Sequence, residues 1–370
     1  MDGSALEMRV RRPRRPSAEP ARSETSRPQK RRGSAPQGKD RPGPTRSPAS
    51  PVAEPIARPP LPHRSGARPH LRQPVILTAE PSEDYRLLDS GDGEKLERYG
   101  ALTVRRPENQ AIWPRRVDVA RWDNADAVFT GDTDEEGTGR WRFPLEPLGE
   151  TWPLAYDGLP FLGRFTSFRH VGVFPEQAAH WSFMAERIGE AKRPLRLLNL
   201  FGYTGIASLV AARAGAEVTH VDASKKAIAW ARANQELARL GDRPVRWICE
   251  DAVRYAEREV RRGSRYDAIL LDPPKYGRGP KGEVWQLFED LPYLLHLTRE
   301  LLSPRPLFVI LTAYSIRASF YSLSALMAEQ FRGLGGRIEA GELVIAEAGE
   351  DARLLSTSLF SRWISDDAER

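Results

Sequence analysis

Residues 196–215 read RLLNLFGYTGIASLVAARAG, and the alternation that starts there organises the rest of the chain. Residues 196–200, RLLNL, read as a buried parallel strand. Residues 201–204 turn, and 205–214 suit a helix closed by Gly215. The unit then repeats. A second predicted strand, 218–221, ends in Asp222, twenty positions after Gly202, the interval at which a carboxylate on the second strand tip reaches a ribose diol. A third, 245–249, runs into Glu250 and Asp251, and a fourth, 268–271, into Asp272-Pro273-Pro274-Lys275-Tyr276. Polar chemistry is thus predicted at the carboxyl end of every strand.

The glycines discriminate among adenosine-bearing ligands. A dinucleotide site carries G-x-G-x-x-G, whose second glycine lets the backbone approach a pyrophosphate. The turn here, Gly202-Tyr203-Thr204-Gly205, lacks that glycine and suits a cofactor without phosphates, of which S-adenosylmethionine is the common one. The sequence resembles the class I S-adenosylmethionine-dependent methyltransferases, and within them the large-subunit ribosomal RNA methyltransferase I-like group. N-x-F-x-x-T-G at 199–205, V-D-x-S at 221–224 and L-D-P-P-K-[FY] at 271–276 carry the resemblance, which covers residues 166–363. It implies an α/β, Rossmann-like fold with a mostly parallel seven-stranded sheet, S-adenosylmethionine as cofactor and RNA as partner.

The cofactor set expected from these motifs is Phe174, Gln177, Asn199, Phe201, Gly202, Thr204, Gly205, Asp222, Ala223, Asp251, Ala252 and Asp272. Backbone N–H groups of 202–205 and of the helix start are suited to a carboxylate, Asp222 to both ribose hydroxyls, and Asp251 to an adenine amino group. Phe174 and Gln177 enter through the resemblance, which places a G-x-[FY]-x-x-Q segment against the cofactor. Plainer readings stand beside these. Asp222 and Asp251 also suit helix caps, Glu250 can exchange roles with Asp251, and Phe174 can be a core residue.

Asp272, Pro273, Pro274, Lys275 and Tyr276 form the expected catalytic set. Two prolines make a stiff turn with carbonyls and no N–H donors, Tyr276 can stack on a flat base, and Lys275 can meet phosphate. The chain departs from the family at one point. The family's cysteine follows the fifth strand in an S-C-S turn and adds to C6 of cytosine, whereas this chain has Thr312-Ala313-Tyr314-Ser315. Its single cysteine, Cys249, is expected buried on the adenine side. Direct transfer to nitrogen or oxygen, with Asp272 as hydrogen-bond acceptor, needs no thiolate.

Charge divides the 370 residues unevenly. The first 74 hold 15 of the 31 prolines and 17 Lys/Arg against 6 Asp/Glu, a net of +11, while residues 75–370 carry a net of −5. So few large apolar residues cannot bury a core, and residues 1–74 are expected to be a disordered tail, either a bystander or an arm drawn to nucleic-acid phosphates. Residues 75–150 are expected to form a small β-rich domain, with a helical piece near 94–99. Its Trp113, Arg115, Arg116, Trp122, Trp141 and Arg142 suit either a sheet core or single-stranded RNA. A hairpin and connecting helix follow in 151–190, then the cofactor domain in 191–370, including a long helix over 284–302. One cysteine excludes an internal disulfide, the six histidines lack metal-ligand spacing, and no apolar run approaches bilayer length. The expected compartment is the cytoplasm.

Overall fold

A computed structural model describes residues 58–131, 139–314 and 316–366. Expectations for residues 1–57 lie outside the described residues.

In chain order the first strands are β1 (His70–Leu71) and β2 (Val75–Ala79). Next come β3 (Tyr85–Gly91), β4 (Glu94–Tyr99), β5 (Leu102–Pro107), helix α1 (Val119–Asp123), β6 (Ala127–Gly131) and β7 (Gly139–Arg142). The hairpin β8 (Thr151–Tyr156) and β9 (Leu159–Arg164) leads to α2 (Ala178–Glu190). An alternating series then runs β10 (Leu195–Leu200), α3 (Ile206–Arg213), β11 (Ala216–Asp222), α4 (Lys225–Leu237), β12 (Val245–Cys249), α5 (Ala252–Arg261) and β13 (Ala268–Leu271). A short hairpin, β14 (Tyr276–Arg278) and β15 (Val284–Gln286), precedes α6 (Leu287–Glu300), β16 (Phe308–Tyr314), α7 (Phe320–Gln330), β17 (Arg337–Ala346) and β18 (Leu354–Ile364).

The seven strands expected of the fold lie in the order β17-β18-β16-β13-β10-β11-β12, and β1 and β2 add to β17 to make nine. From β16 to β12 the pairing is parallel, and β18 enters antiparallel. Burial of both faces explains the continuous apolar strands. Leu198, Leu200, Ile269 and Leu271 pack with Tyr255, Leu294 and Met327 on one side. Leu197, Ala268 and Leu270 pack with Leu209, Ala211 and Met184 on the other.

Several boundaries differ from expectation. Residues 94–99 form strand β4, not a helix, because Asp92 and Gly93 both adopt left-handed backbone (φ 52° and 76°) and fold β3 and β4 into a two-residue hairpin. The five-stranded β3–β7 sheet begins at Tyr85, since Val75–Ala79 pairs with β17 instead. The helix expected over 284–302 starts at Leu287, because residues 284–286 pair with β14 and the Trp285 indole N–H donates to the Pro274 carbonyl at 2.7 Å. The turn expected at 312–315 is strand as far as Tyr314.

The expected tail also ends earlier than residue 74. Arg58 pairs with Asp290 at 2.7 Å, Arg64 with Glu300 at 2.7 Å, and Arg68 with Glu329, while His70 and Leu71 join β17. Three arginines meeting carboxylates on α6 and α7 tie residues 58–72 across the back of the sheet. A chain lacking residues 1–74 should therefore melt about 3–8 °C below one lacking residues 1–57, since a few kcal/mol moves a domain of this size by that much. Equal melting temperatures by calorimetry would show that the strap adds no stability.

The tryptophans of the small sheet follow the core reading. Trp122 is fully buried and donates to Asp89 at 3.0 Å, and Trp113 donates to the Ser90 carbonyl at 3.0 Å. Arg115 lies over the Trp122 ring and pairs with Glu94.

Candidate functional site

The carboxyl ends of β11, β13 and β16, and the loops that follow β10 and β12, open onto one cleft of about 540 Å³. That is within the range of roughly 300–1,000 Å³ usual for small-ligand sites. A smaller recess of about 70 Å³ adjoins it, sharing Phe174, Gln177, Phe201, Tyr203 and Asp272.

The turn after β10 is more strained than its glycines suggest. Phe201, Tyr203 and Gly205 all adopt left-handed backbone (φ 59°, 50° and 82°), and a non-glycine residue there costs about 1 kcal/mol or more. Gly202 is needed for a different reason: a Cβ on it would lie 2.3 Å from the His220 ring. The expectation that amides 202–205 are open is corrected for Gly202, Tyr203 and Gly205. Gly202 N–H donates to Val221, Tyr203 N–H to the Asp222 carboxylate at 2.9 Å, and Gly205 N–H to Gly202. The donors left are the Thr204 amide and those of the first turn of α3, which no helical carbonyl can reach.

Asp222 ends β11 with its Oδ2 accepting from Tyr203 N–H and its Oδ1 from Ser224 N–H at 2.8 Å. Burial pushes its carboxyl up, and those two N–H groups oppose the rise. The cap of α4 is Ser224, whose hydroxyl accepts from Ala227 N–H, so Asp222 is not the helix cap. Asp251 does cap α5, accepting from Arg254 N–H at 3.0 Å, and it also lines the cleft with Ala223 and Ala252. Glu250 is held by Arg258 at 2.6 Å and is not in the cleft wall. Neither Asp222 nor Asp251 meets a basic side chain within ion-pair distance among the described residues, which leaves both carboxylates able to accept from a neutral ligand.

Not every expected cofactor residue reaches the cleft. Phe174, Gln177, Phe201 and Asp272 line both spaces. Asn199, Gly202 and Thr204 line only the recess, where Asn199 donates to Ser208 at 2.9 Å and Thr204 to the Gly172 carbonyl at 2.7 Å. Gly205 lines neither space and packs against Ala231 and Trp247.

At the opposite end, Asp272 sits where cleft and recess meet and accepts from the Gln177 amide at 3.1 Å. Burial raises its carboxyl to about 7, with the Glu176 charge adding to the rise. The Pro274 carbonyl faces Trp285, so the expected carbonyl platform is narrower by one group. Tyr276 is 37% exposed at the rim, and Lys275 is exposed beside it.

Cys249 is exposed, not buried as expected, with its thiol donating to the Ala223 carbonyl at 3.6 Å, and it is absent from the cleft wall. The edge of the sheet at β12 leaves that strand end uncovered. Cys249→Ser should keep turnover within about twofold of wild type, since a thiol outside the site is at most a small packing group. A covalent adduct with a 5-fluorocytosine substrate would reverse this.

Sequence reasoning passed over Phe168, His170, Glu176, Tyr203, Trp285 and Tyr314, all in the cleft wall. His170, Phe174, Tyr203 and Tyr314 form a linked aromatic set with ring centroids 4.7–5.8 Å apart. The signal available was the run FTSFRHVGVF at 165–174, too aromatic for a plain connector.

A family model described as conserved hypothetical protein 95 matches residues 180–294. The chain is 62% identical to the S-adenosylmethionine-dependent methyltransferase from Agrobacterium tumefaciens, whose crystal structure aligns over 82% of this chain and 97% of that one with a TM-score of 0.79. The ribosomal RNA large subunit methyltransferase K/L of Syntrophotalea carbinolica is 30% identical over 198 residues, 53% of this chain and 27% of that relative. The ribosomal RNA large subunit methyltransferase K of Neisseria meningitidis is 26% identical over 201 residues, 52% of this chain and 54% of that relative. The matches thus span about half or less of these curated relatives.

Proposed function

Because the chain belongs to the S-adenosylmethionine-dependent methyltransferases, we propose that it methylates a nitrogen of an RNA base by direct displacement. The observation that carries this reading is the pairing of Asp272, a carboxylate raised to about 7, with an aromatic-walled cleft whose rim carries Tyr276. The names of the ribosomal RNA relatives support RNA as the acceptor. Exposed Lys275 and Arg278 beside Tyr276 support it too, since phosphates favour such a rim.

The cofactor is S-adenosylmethionine, and when bound it supplies an electrophilic methyl group on a sulfonium centre. Asp222, Asp251, Phe174 and Gln177 are the residues suited to hold it, two carboxylates for polar groups and an aromatic face for a ring. Asp272 would accept the N–H of the attacking nitrogen and aim its lone pair, then take up the released proton, which a carboxyl near 7 does at neutral pH. Tyr276 would hold the base by stacking. Cytosine-C5 chemistry lacks its thiolate, because the single cysteine is outside the cleft wall.

The −5 charge of residues 75–370 favours a second reading, a small-molecule or protein acceptor. Transfer of radiolabel from S-adenosylmethionine to the RNA, protein and metabolite fractions of a cell extract separates the two. Label in RNA supports the proposal, and label confined to another fraction removes it.

A further inference from the structure

One buried cation behind the cleft, Arg169, forms no ion pair among the described residues. Arg169 is 3% exposed, and its guanidinium donates to the Pro107 carbonyl at 3.3 Å and to the Tyr314 hydroxyl at 3.0 Å. Its Nε meets no acceptor, and no carboxylate lies within ion-pair distance of it among the described residues. Burying a guanidinium without a carboxylate destabilises a fold, so its retention asks for a task.

The small sheet fixes where this charge points. Arg106 on β5 donates to the Arg169 carbonyl at 3.1 Å and is itself locked to Glu97 at 2.5 and 3.0 Å. Burial alone would raise the Glu97 carboxyl, but the Arg106 and Lys95 charges hold it down at about 2, so the ion pair persists at any working pH. The chain of contacts ends on Tyr314, at the tip of β16, edge-on to His170 at 5.4 Å and Phe174 at 5.7 Å in the cleft wall.

A phenol oxygen that accepts from Arg169 keeps its own O–H for another partner. No acceptor for that proton is present among the described residues. Burial raises the Tyr314 phenol and lowers the His170 imidazole, so Tyr314 remains a neutral donor. Asp272, in the same cleft, is an acceptor. We infer that Tyr314 donates a hydrogen bond to the methyl-accepting base and so selects it, with Arg169 as the positioning residue that aims and polarises the hydroxyl. The base it fits presents a carbonyl or ring-nitrogen lone pair close to the N–H read by Asp272. This rests on the reading of the cleft as the acceptor site.

The test compares Tyr314→Phe, Arg169→Ala, Arg169→Lys and the double variant Tyr314→Phe/Arg169→Ala. Each is assayed by methyl transfer to whichever extract fraction takes label and by calorimetric affinity for S-adenosylmethionine. Tyr314→Phe should lower kcat/KM about tenfold to a hundredfold by removing one directed donor, with cofactor affinity changed less than twofold. Arg169→Ala should match it, Arg169→Lys should recover part, and the double variant should be no worse than the more impaired single. Wild-type kcat/KM in Tyr314→Phe overturns the inference, and so do single effects that multiply in the double. Should Arg169→Ala fail to fold, Tyr314→Phe decides alone, since it removes one oxygen. Label in protein rather than RNA removes the RNA reading while Tyr314 is still scored on that fraction. Label in no fraction overturns both.

Discussion

Asp272→Ala should slow single-turnover methyl transfer about a hundredfold to ten-thousandfold, the range usual for loss of a positioned proton acceptor, while S-adenosylmethionine affinity changes less than threefold. The Gln177 amide holds Oδ2, which leaves Oδ1 for the attacking N–H. Because burial, then Glu176, lifts the carboxyl to about 7, the wild-type rate should rise with pH and level off above neutrality. Glu176→Gln should move that inflection to lower pH by removing the neighbouring charge.

Stability should run the other way. The folded pKa of Asp272 lies above its ordinary 3.8, so its contribution is fully present below 3.8 and is lost as pH rises through about 7. Asp272→Asn should therefore melt above wild type at pH 8 and gain nothing at pH 4. A rate in Asp272→Ala within tenfold of wild type, or cofactor affinity falling in parallel with rate, would make this residue part of the cofactor wall instead.

Asp222→Ala should weaken S-adenosylmethionine binding about 30-fold to 1,000-fold, the equivalent of roughly 2–4 kcal/mol for a desolvated carboxylate acceptor. Two of its lone pairs already serve Tyr203 and Ser224, and the remaining pair suits a diol. Because the same carboxylate steadies the strained Tyr203 turn, the loss could arise from the turn rather than the ligand. A 2′-deoxyribose analogue of S-adenosylhomocysteine separates these causes. If Asp222 binds the diol, wild type should lose much of its affinity for the analogue and Asp222→Ala should lose little more. Calorimetry showing equal discrimination by both proteins would assign Asp222 to the turn alone.

The alternating α/β layout was legible in the sequence because a strand buried on both faces is mostly apolar, and because glycine and aspartate mark the strand exits. The positions of Asp222, Asp251 and Asp272 followed from that periodicity, as local information carried along one strand and its turn. Residues 94–99 misled because their alternation EKLERY fits either period, and only pairing with β3 and β5 on both sides selects the strand. The strap at 58–72 was read as tail because its arginines have no local partner; their carboxylates lie more than 200 residues away on α6 and α7. Tyr314 and Arg169 were illegible for the same reason. A phenol at a strand tip and an arginine in a connector become a site only when a buried ion pair in a separate sheet, Glu97 with Arg106, holds one against the other. The succession of elements and the strand-end carboxylates are written in short-range pattern, whereas the lateral order of the strands and the wall proposed to meet the methyl acceptor are assembled from long-range contacts, whose free energy exists only in the packed molecule.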